Sequence, residues 1–273
     1  MSQRLPSFVY NGDMKKSLIT STGNPLIKQA RALHQKKARR DSGLFLVEGI
    51  HHVGEVVEAG WDVKAVLYAP DTLTSPFAHD LISRLSITPQ PVTPQVMESL
   101  ADKDNPQGIL AVVRQKQTKL SDIQGTTSAV ALVSAQDPGN AGTVLRTMDA
   151  VGIDMLFLLE GGVDLYHPTV VRASMGTLFW KTVVQTSFNE FIGWARERTC
   201  QLIGTSAHAD MEYYLLSPNR PWILMLGNEQ KGLSPEQIDA CDVTVSLPMR
   251  GRISSLNLSV AAGVLLYQFT NKK

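Results

Sequence analysis

The chain has 273 residues, 43% of them hydrophobic and 19% charged, with a formal net charge of +1. This is the composition of a soluble globular protein, long enough for one large domain or two of ordinary size. The near-neutral balance excludes a globally basic nucleic-acid binder. Cys200 and Cys241 are the two cysteines. So few cysteines exclude a disulfide framework and fit a reducing compartment. No apolar run is long enough to span a membrane, and the first residues lack the apolar stretch of a signal peptide. A cytoplasmic placement is the expectation.

The charge is uneven along the chain. Residues 1–120 carry 15 Lys/Arg against 11 Asp/Glu, whereas residues 121–273 carry 11 against 14. Residues 1–16 have no hydrophobic period and read as a loose arm. Asn24-Pro25 is a helix start, with a cap and a proline at the first helical position. The helix that follows is expected to continue into a basic run of Lys28, Arg31, Lys36, Lys37, Arg39 and Arg40, with no acid over residues 25–40. Strands are expected over 44–47, 63–69 and 109–113. Helices are expected over 48–60 and 77–85, and residues 88–94 read as extended or loop. This alternation predicts a small α/β domain over 17–115. The polar stretch 116–128 reads as a linker.

The remainder, 129–273, alternates more sharply. Apolar strands are expected at 130–134, 155–159, 201–205, 222–226 and 243–247. Helices are expected at 141–151 and 189–198, with a last apolar helix over 256–269. Apolar strands separated by helices predict a parallel sheet covered on both faces. Ligands bind such sheets at the carboxyl ends of the strands. The last helix is apolar on nearly every side, which predicts complete burial.

Three loops at strand ends could carry chemistry. The first runs from Asp137 through Asn140 to Arg146. By itself it reads first as a plain strand-to-helix turn, with Asn140 able to cap the helix and Arg146 on the surface, and second as a phosphate-binding loop. It lacks the glycine patterns of nucleotide hydrolases and dinucleotide-binding enzymes. In the second, Gly227-Asn228-Glu229, a buried strand ends in a carboxylate, which is either solvated or a partner that fixes a nearby arginine. The third runs from Leu247 to Ser259, where Ser254 or Ser255 could simply cap the last helix and leave Asn257 incidental. The six histidines show no H-E-x-x-H or similar pattern, so no metal is expected.

In order, these loops read N-x-G-x-x-x-R, G-N-E-x-x-G-L-S and P-M-x-G-x-x-S-S-L-N-x-S. Over residues 129–271 the chain resembles the SpoU/TrmH branch of the SPOUT superfamily of RNA 2′-O-ribose methyltransferases. Asp137 stands where many relatives carry asparagine, and Leu247 where isoleucine is common. Asn24-Pro25-Leu26-Ile27-Lys28, Lys37-Ala38-Arg39 and Phe45-Leu46-Val47-Glu48-Gly49 resemble the substrate-binding domain that precedes the catalytic domain in many ribosomal RNA members.

The resemblance implies an α/β fold with a C-terminal knotted (trefoil) parallel-sheet domain, preceded by a smaller α/β RNA-binding domain. It implies S-adenosylmethionine as cofactor, contacted by Gly227, Leu247 and Leu256. Arg146, Asn140, Glu229, Ser255 and Asn257 are the implied catalytic set, with Glu229 orienting Arg146 or neighbouring backbone, and the six basic residues from Lys28 to Arg40 are the implied RNA contacts. Arg146 acts either as an electrostatic activator of the 2′-hydroxyl or as a base. A guanidinium is effectively always protonated, which favours the first. The partners implied are RNA, with ribosomal RNA favoured over transfer RNA, and a second copy of the chain. A non-catalytic RNA binder and another kind of α/β nucleotide enzyme are the competing classes.

Overall fold

The computed structural model describes residues 16–102, 106–125 and 128–271. Of the arm expected over 1–16, all but Lys16 lies outside the described residues, as do residues 126–127 of the expected linker. The chain divides into two compact units. Met1–Lys116 and Tyr166–Phe179 form the first, and Gln117–Leu165 and Trp180–Lys273 the second.

The first unit begins with α1 (Pro25–Ala32), where the Asn24 side chain accepts the Leu26 N–H and Pro25 opens the helix. There follow α2 (Lys36–Ser42), β1 (Leu44–Glu48), α3 (Ile50–Glu58), β2 (Val63–Tyr68), α4 (Pro76–Ser83), β3 (Gln90–Pro91), α5 (Pro94–Glu98) and β4 (Ile109–Arg114). Strand order is β1-β4-β2-β3, with β4 antiparallel to β1 and β2, and β3 parallel to β2. Ile27, Ala30 and Leu33 pack against Leu46, Leu67, Leu110 and Val112 of the sheet.

The basic run does not form one helix. It breaks between Ala32 and Lys36, and Arg39 closes the break. The Arg39 guanidinium donates to the carbonyls of Leu33 at 2.7 Å and His34 at 2.8 Å. These lie just past the end of α1, where helical carbonyls lack partners. Arg39 is only 2% exposed, so the structure corrects its assignment as an RNA contact: it is an internal cap.

The rest of the chain contributes β5 (Ala129–Val133), α6 (Pro138–Ala150), β6 (Met155–Leu159), α7 (Pro168–Ala173), β7 (Thr182–Thr186), α8 (Phe188–Glu197), β8 (Gln201–Thr205), β9 (Met211–Glu212), β10 (Trp222–Leu226), α9 (Pro235–Asp239), β11 (Val243–Ser246) and α10 (Leu258–Thr270). The strands form one sheet in the order β7-β6-β5-β10-β8-β11-β9, every neighbouring pair parallel. All residues of β5, β6 and β10 are buried, which is why these strands read as unbroken apolar runs. Ala131, Phe157 and Met225 pack with Phe191 and Trp194 of α8. Elsewhere α6 and α10 pack on each other, and Phe269 meets Trp222 edge-on at 5.8 Å.

Three expectations need correction. The segment Tyr166–Phe179, including α7, groups with the first unit although it lies within 129–273. Its aromatic residues explain this. The Tyr166 ring lies 4.5 Å from Phe45, and its hydroxyl donates to the Lys116 carbonyl. Trp61 donates its indole N–H to the Phe179 carbonyl at 3.0 Å. The last helix begins at Leu258 rather than 256, because Asn257 is its cap. It is also not wholly buried: Leu258, Ala262, Leu265, Leu266 and Phe269 face inward, while Val260, Val264 and Tyr267 remain exposed.

Arg39→Ala would leave two carbonyls without their charged donor. We expect it to destabilise the chain by about 1–3 kcal/mol, read as a lowered midpoint in urea denaturation. Lys36→Ala and Lys37→Ala, at exposed positions, should change stability by no more than about 0.5 kcal/mol.

Candidate active site

The three sequence loops meet in the second unit. β5 and β10 are direct neighbours, so the segments that leave their carboxyl ends start side by side. After β5 the backbone turns at Ser134, which has a positive φ of 51°. It then enters α6 at Pro138, with the Asp137 carboxylate accepting the Asn140 N–H at 2.9 Å. Asp137, not Asn140, is therefore the cap, and the Asn140 side chain is free for another role.

After β10 the chain closes a tight loop. Asn228 and Gly232 exchange backbone hydrogen bonds of 3.1 and 2.8 Å. A Cβ on Gly227 would lie 2.1 Å from the Gly232 carbonyl carbon, so only glycine fits. The Asn228 side-chain oxygen accepts the N–H groups of Gln230 and Lys231, and its amide donates to the Ser134 carbonyl at 2.9 Å. Asn228 thus ties the second loop to the first. Sequence reasoning quoted this residue but gave it no role. An asparagine four positions before a turn glycine is the signal that could have found it.

Glu229 fastens the same junction. Its carboxylate accepts the backbone N–H groups of Gln136 at 3.1 Å and Asp137 at 3.1 Å, and the Asn140 amide at 3.3 Å. Asn140 in turn accepts the Asn257 amide at 2.9 Å. The direction of this chain is determined at its far end. The Asn257 oxygen caps α10, accepting from the Ser259 and Val260 N–H groups, so its amide must face Asn140. Glu229, Asn140 and Asn257 therefore link all three loops in one hydrogen-bonded series. Burial pushes the Glu229 carboxyl up, but its own N–H, those of Asp137 and Gln136, and the Asn140 amide outweigh this and hold it below the usual carboxylate value.

Beside this series lies a cavity of about 460 Å³. Gly227, Leu247 and Leu256 all line it, together with Glu229 and Ser255. Leu226 and Leu233 add apolar wall, and Thr205, Ser206 and His208 lie where β8 ends. An adjoining, more open groove of about 520 Å³ is bordered by Asp137, Asn140, Glu229 and Asn257. Leu256 and Glu229 border both spaces. The arrangement offers an apolar slot for a flat ring next to a polar groove, at the carboxyl end of a parallel sheet.

Arg146 is placed differently. It lies on α6, exposed, and borders neither space. Among the described residues it has no hydrogen-bond or ion-pair partner. Of the two partners expected for Glu229, the carboxylate takes nearby backbone and not this arginine. In the first unit, Lys28, Lys36, Lys37 and Arg40 are exposed. Arg31 is partly used inside the unit, donating to the Ser99 hydroxyl at 2.8 Å and the Ser99 carbonyl at 3.1 Å. Among the described residues no His, Cys, Asp and Glu side chains group in a way that could hold a metal ion, and no helix is long and apolar enough to cross a membrane.

Comparison with known proteins gives the same picture over nearly the whole chain. Residues 127–267 match the model of the SpoU rRNA Methylase family, and residues 24–111 match the MRM3-like substrate binding domain. The 23S rRNA (uridine(2479)-2′-O)-methyltransferase of Streptomyces viridochromogenes is 31% identical, over 93% of this chain and 92% of that protein. The 23S rRNA (guanosine(2553)-2′-O)-methyltransferase of Bacillus subtilis is 30% identical, over 91% of this chain and 97% of its own length. Among solved structures, an AdoMet-bound rRNA methyltransferase from Sinorhizobium meliloti superposes with a TM-score of 0.84 at 31% identity, covering 93% of this chain and 97% of the other. Motif order, loop geometry and full-length similarity agree, and the chain belongs to the SpoU rRNA methylase family.

Proposed function

We propose that the protein transfers a methyl group from S-adenosylmethionine to a ribose 2′-hydroxyl of large-subunit ribosomal RNA. The observation that carries this reading is the series from Glu229 through Asn140 to Asn257, which holds three loops around one apolar cavity and one polar groove. The 23S rRNA methyltransferases that match end to end favour ribosomal over transfer RNA.

The cavity suits the cofactor. Leucine side chains flank it, and the strand end at Gly227 exposes backbone without a side chain in the way. Gly227, Leu247 and Leu256 would hold the adenosyl portion. When bound, S-adenosylmethionine supplies an electrophilic methyl group on a positively charged sulfur. The residues of the chain do the rest by alignment and charge. Asn140 and Asn257 present amide groups at the groove, where they position the ribose. Ser255 borders the cavity and helps set the third loop. Arg146 stays protonated and stabilises charge that develops on the hydroxyl oxygen as the hydroxyl proton passes to solvent, with S-adenosylhomocysteine as the leaving group, while the planar donors of the arginine clamp the neighbouring phosphate. Glu229 acts through the backbone it fixes and touches no reacting atom.

The same reading has the first unit bind RNA through the exposed Lys28, Lys36, Lys37 and Arg40, with partly used Arg31 contributing less. It includes the trefoil course of the C-terminal segment, a cytoplasmic setting and a homodimer. The exposed apolar side chains Val260, Val264 and Tyr267 of α10 support pairing. An Arg146 that borders neither space of its own chain supports a site near the subunit interface.

The direct test is incubation with radiolabelled S-adenosylmethionine and either unmodified large-subunit ribosomal RNA or bulk transfer RNA. Alkali-resistant label in ribosomal RNA is expected, and label confined to transfer RNA would overturn the substrate assignment. Arg146→Ala should lower methylation by about 100-fold or more, with cofactor affinity in calorimetry nearly unchanged. Gly227→Ala should abolish cofactor binding, because the added methyl collides with the loop itself. The pH response follows from Glu229. A carboxyl whose folded pKa is depressed contributes stability above its unfolded pKa and loses it as the pH falls through the folded value. Cofactor binding in the wild type should therefore persist just below the usual carboxylate range and fail at lower pH. Glu229→Gln should bind more weakly at neutral pH and lose that acid-dependent step.

A further inference from the structure

The first unit holds a second cavity, of about 290 Å³, that the methyl-transfer reading does not use. The β1–β4 register explains its floor. Leu46 and Glu48 are two residues apart and share a face of the sheet, with Leu110 directly opposite Glu48. Leu46 and Leu110 are buried, and Val171 of α7 closes the apolar side. Glu48, Asp102, Arg172 and His34 supply the polar side. α7 thus brings Arg172, from within the methylase match at 127–267, to residues of the substrate-binding match at 24–111.

The donors and acceptors there are only partly spent. One Glu48 oxygen accepts the Asp102 N–H at 3.0 Å, and Asp102 holds one Arg172 terminal nitrogen at 3.1 Å. Among the described residues the other Glu48 oxygen, and the second terminal nitrogen and Nε of Arg172, have no protein partner. His34 engages the Leu100 carbonyl through Nε2, which holds its ring at the cavity wall. The space therefore combines an apolar floor, an imidazole in its wall, unspent carboxylate oxygen and unspent guanidinium donors.

We infer that this cavity takes a guanine base, presented by an unpaired nucleotide of RNA. Guanine carries two adjacent donors, N1–H and the 2-amino group, beside the O6 acceptor. A carboxylate matches the donors and a guanidinium matches O6. Adenine, cytosine and uracil do not present that pair of donors on one edge. Sequence-specific reading of RNA commonly uses such unstacked bases, held on aromatic or guanidinium planes and read along the Watson–Crick edge. The inference rests on the RNA reading above and adds a recognition site in the first unit, separate from the methyl-transfer site in the second.

The test is equilibrium binding to the intact chain, with S-adenosylhomocysteine present to occupy the cofactor cavity. The probes are the 5′-monophosphates of guanosine, inosine, adenosine, uridine and cytidine, and a single-stranded uridine oligonucleotide with or without one central guanosine. Guanosine monophosphate should bind best, and inosine monophosphate, which lacks the 2-amino donor, about tenfold more weakly. The guanosine-containing oligonucleotide should outcompete the free nucleotide. The reverse ranking would assign the cavity to a free guanine nucleotide and overturn the RNA source. Glu48→Gln and Arg172→Met should erase the preference while S-adenosylhomocysteine binding stays unchanged. Should either variant melt early, the guanosine-to-inosine ratio on the wild type still decides. Equal affinity for all five nucleotides, or a preference that survives in well-folded variants, would overturn the inference. Wild-type methylation of ribosomal RNA, measured alongside, separates this failure from failure of the methyltransferase reading.

Discussion

The Glu229 carboxylate is the constraint on which the site depends. It sits where a buried strand ends, half withdrawn from water, and such a charge must be matched by donors. Two backbone N–H groups from the neighbouring strand end and the Asn140 amide meet that need. In satisfying itself the carboxylate fixes the first loop against the second. Asn140 passes the constraint to Asn257, whose capping role fixes the start of α10. Each member is oriented by the next, so the cavity walls are set before any ligand arrives.

The sheet makes this possible. Strands buried on both faces leave their carboxyl ends adjacent and in register, and the loops that continue from them share one edge. Glycine at 227 and 232, together with the Asn228 side chain, makes the second loop compact enough to leave space beside it. The first unit uses a comparable economy. Arg39 spends its charge on two carbonyls left by the end of α1, which turns a continuous basic stretch into two helices with their remaining lysines outward.

The α7 segment relates the two halves of the sequence in an unexpected way. It follows β6 in the chain yet packs on the first unit through Tyr166 and Phe179. Arg172 reaches the cavity beside Glu48 for that reason. The walls of that cavity are thereby built partly from sequence that belongs to the methylase match.

Much of the molecule was legible in its sequence. Apolar runs such as 155–159 and 222–226 announce strands because burial on both faces demands them, and Asn24-Pro25 announces a helix because capping is local chemistry. The order of the three loop motifs was enough to identify the family. Short edge elements were not legible. β7, with the sequence Thr-Val-Val-Gln-Thr, is only partly buried and lacks the apolar signal, and α7 is too short to show a period. Partnerships were not legible either. Sequence presented Arg39 as one of six equivalent cations, Asn257 as a site residue beside a serine cap, and the last helix as wholly buried. Only the tertiary structure placed Arg39 on two carbonyls, made Asn257 a cap and left one side of α10 open. Hydrogen-bond partners distant in the chain are chosen by geometry in three dimensions, which local periodicity and composition do not encode.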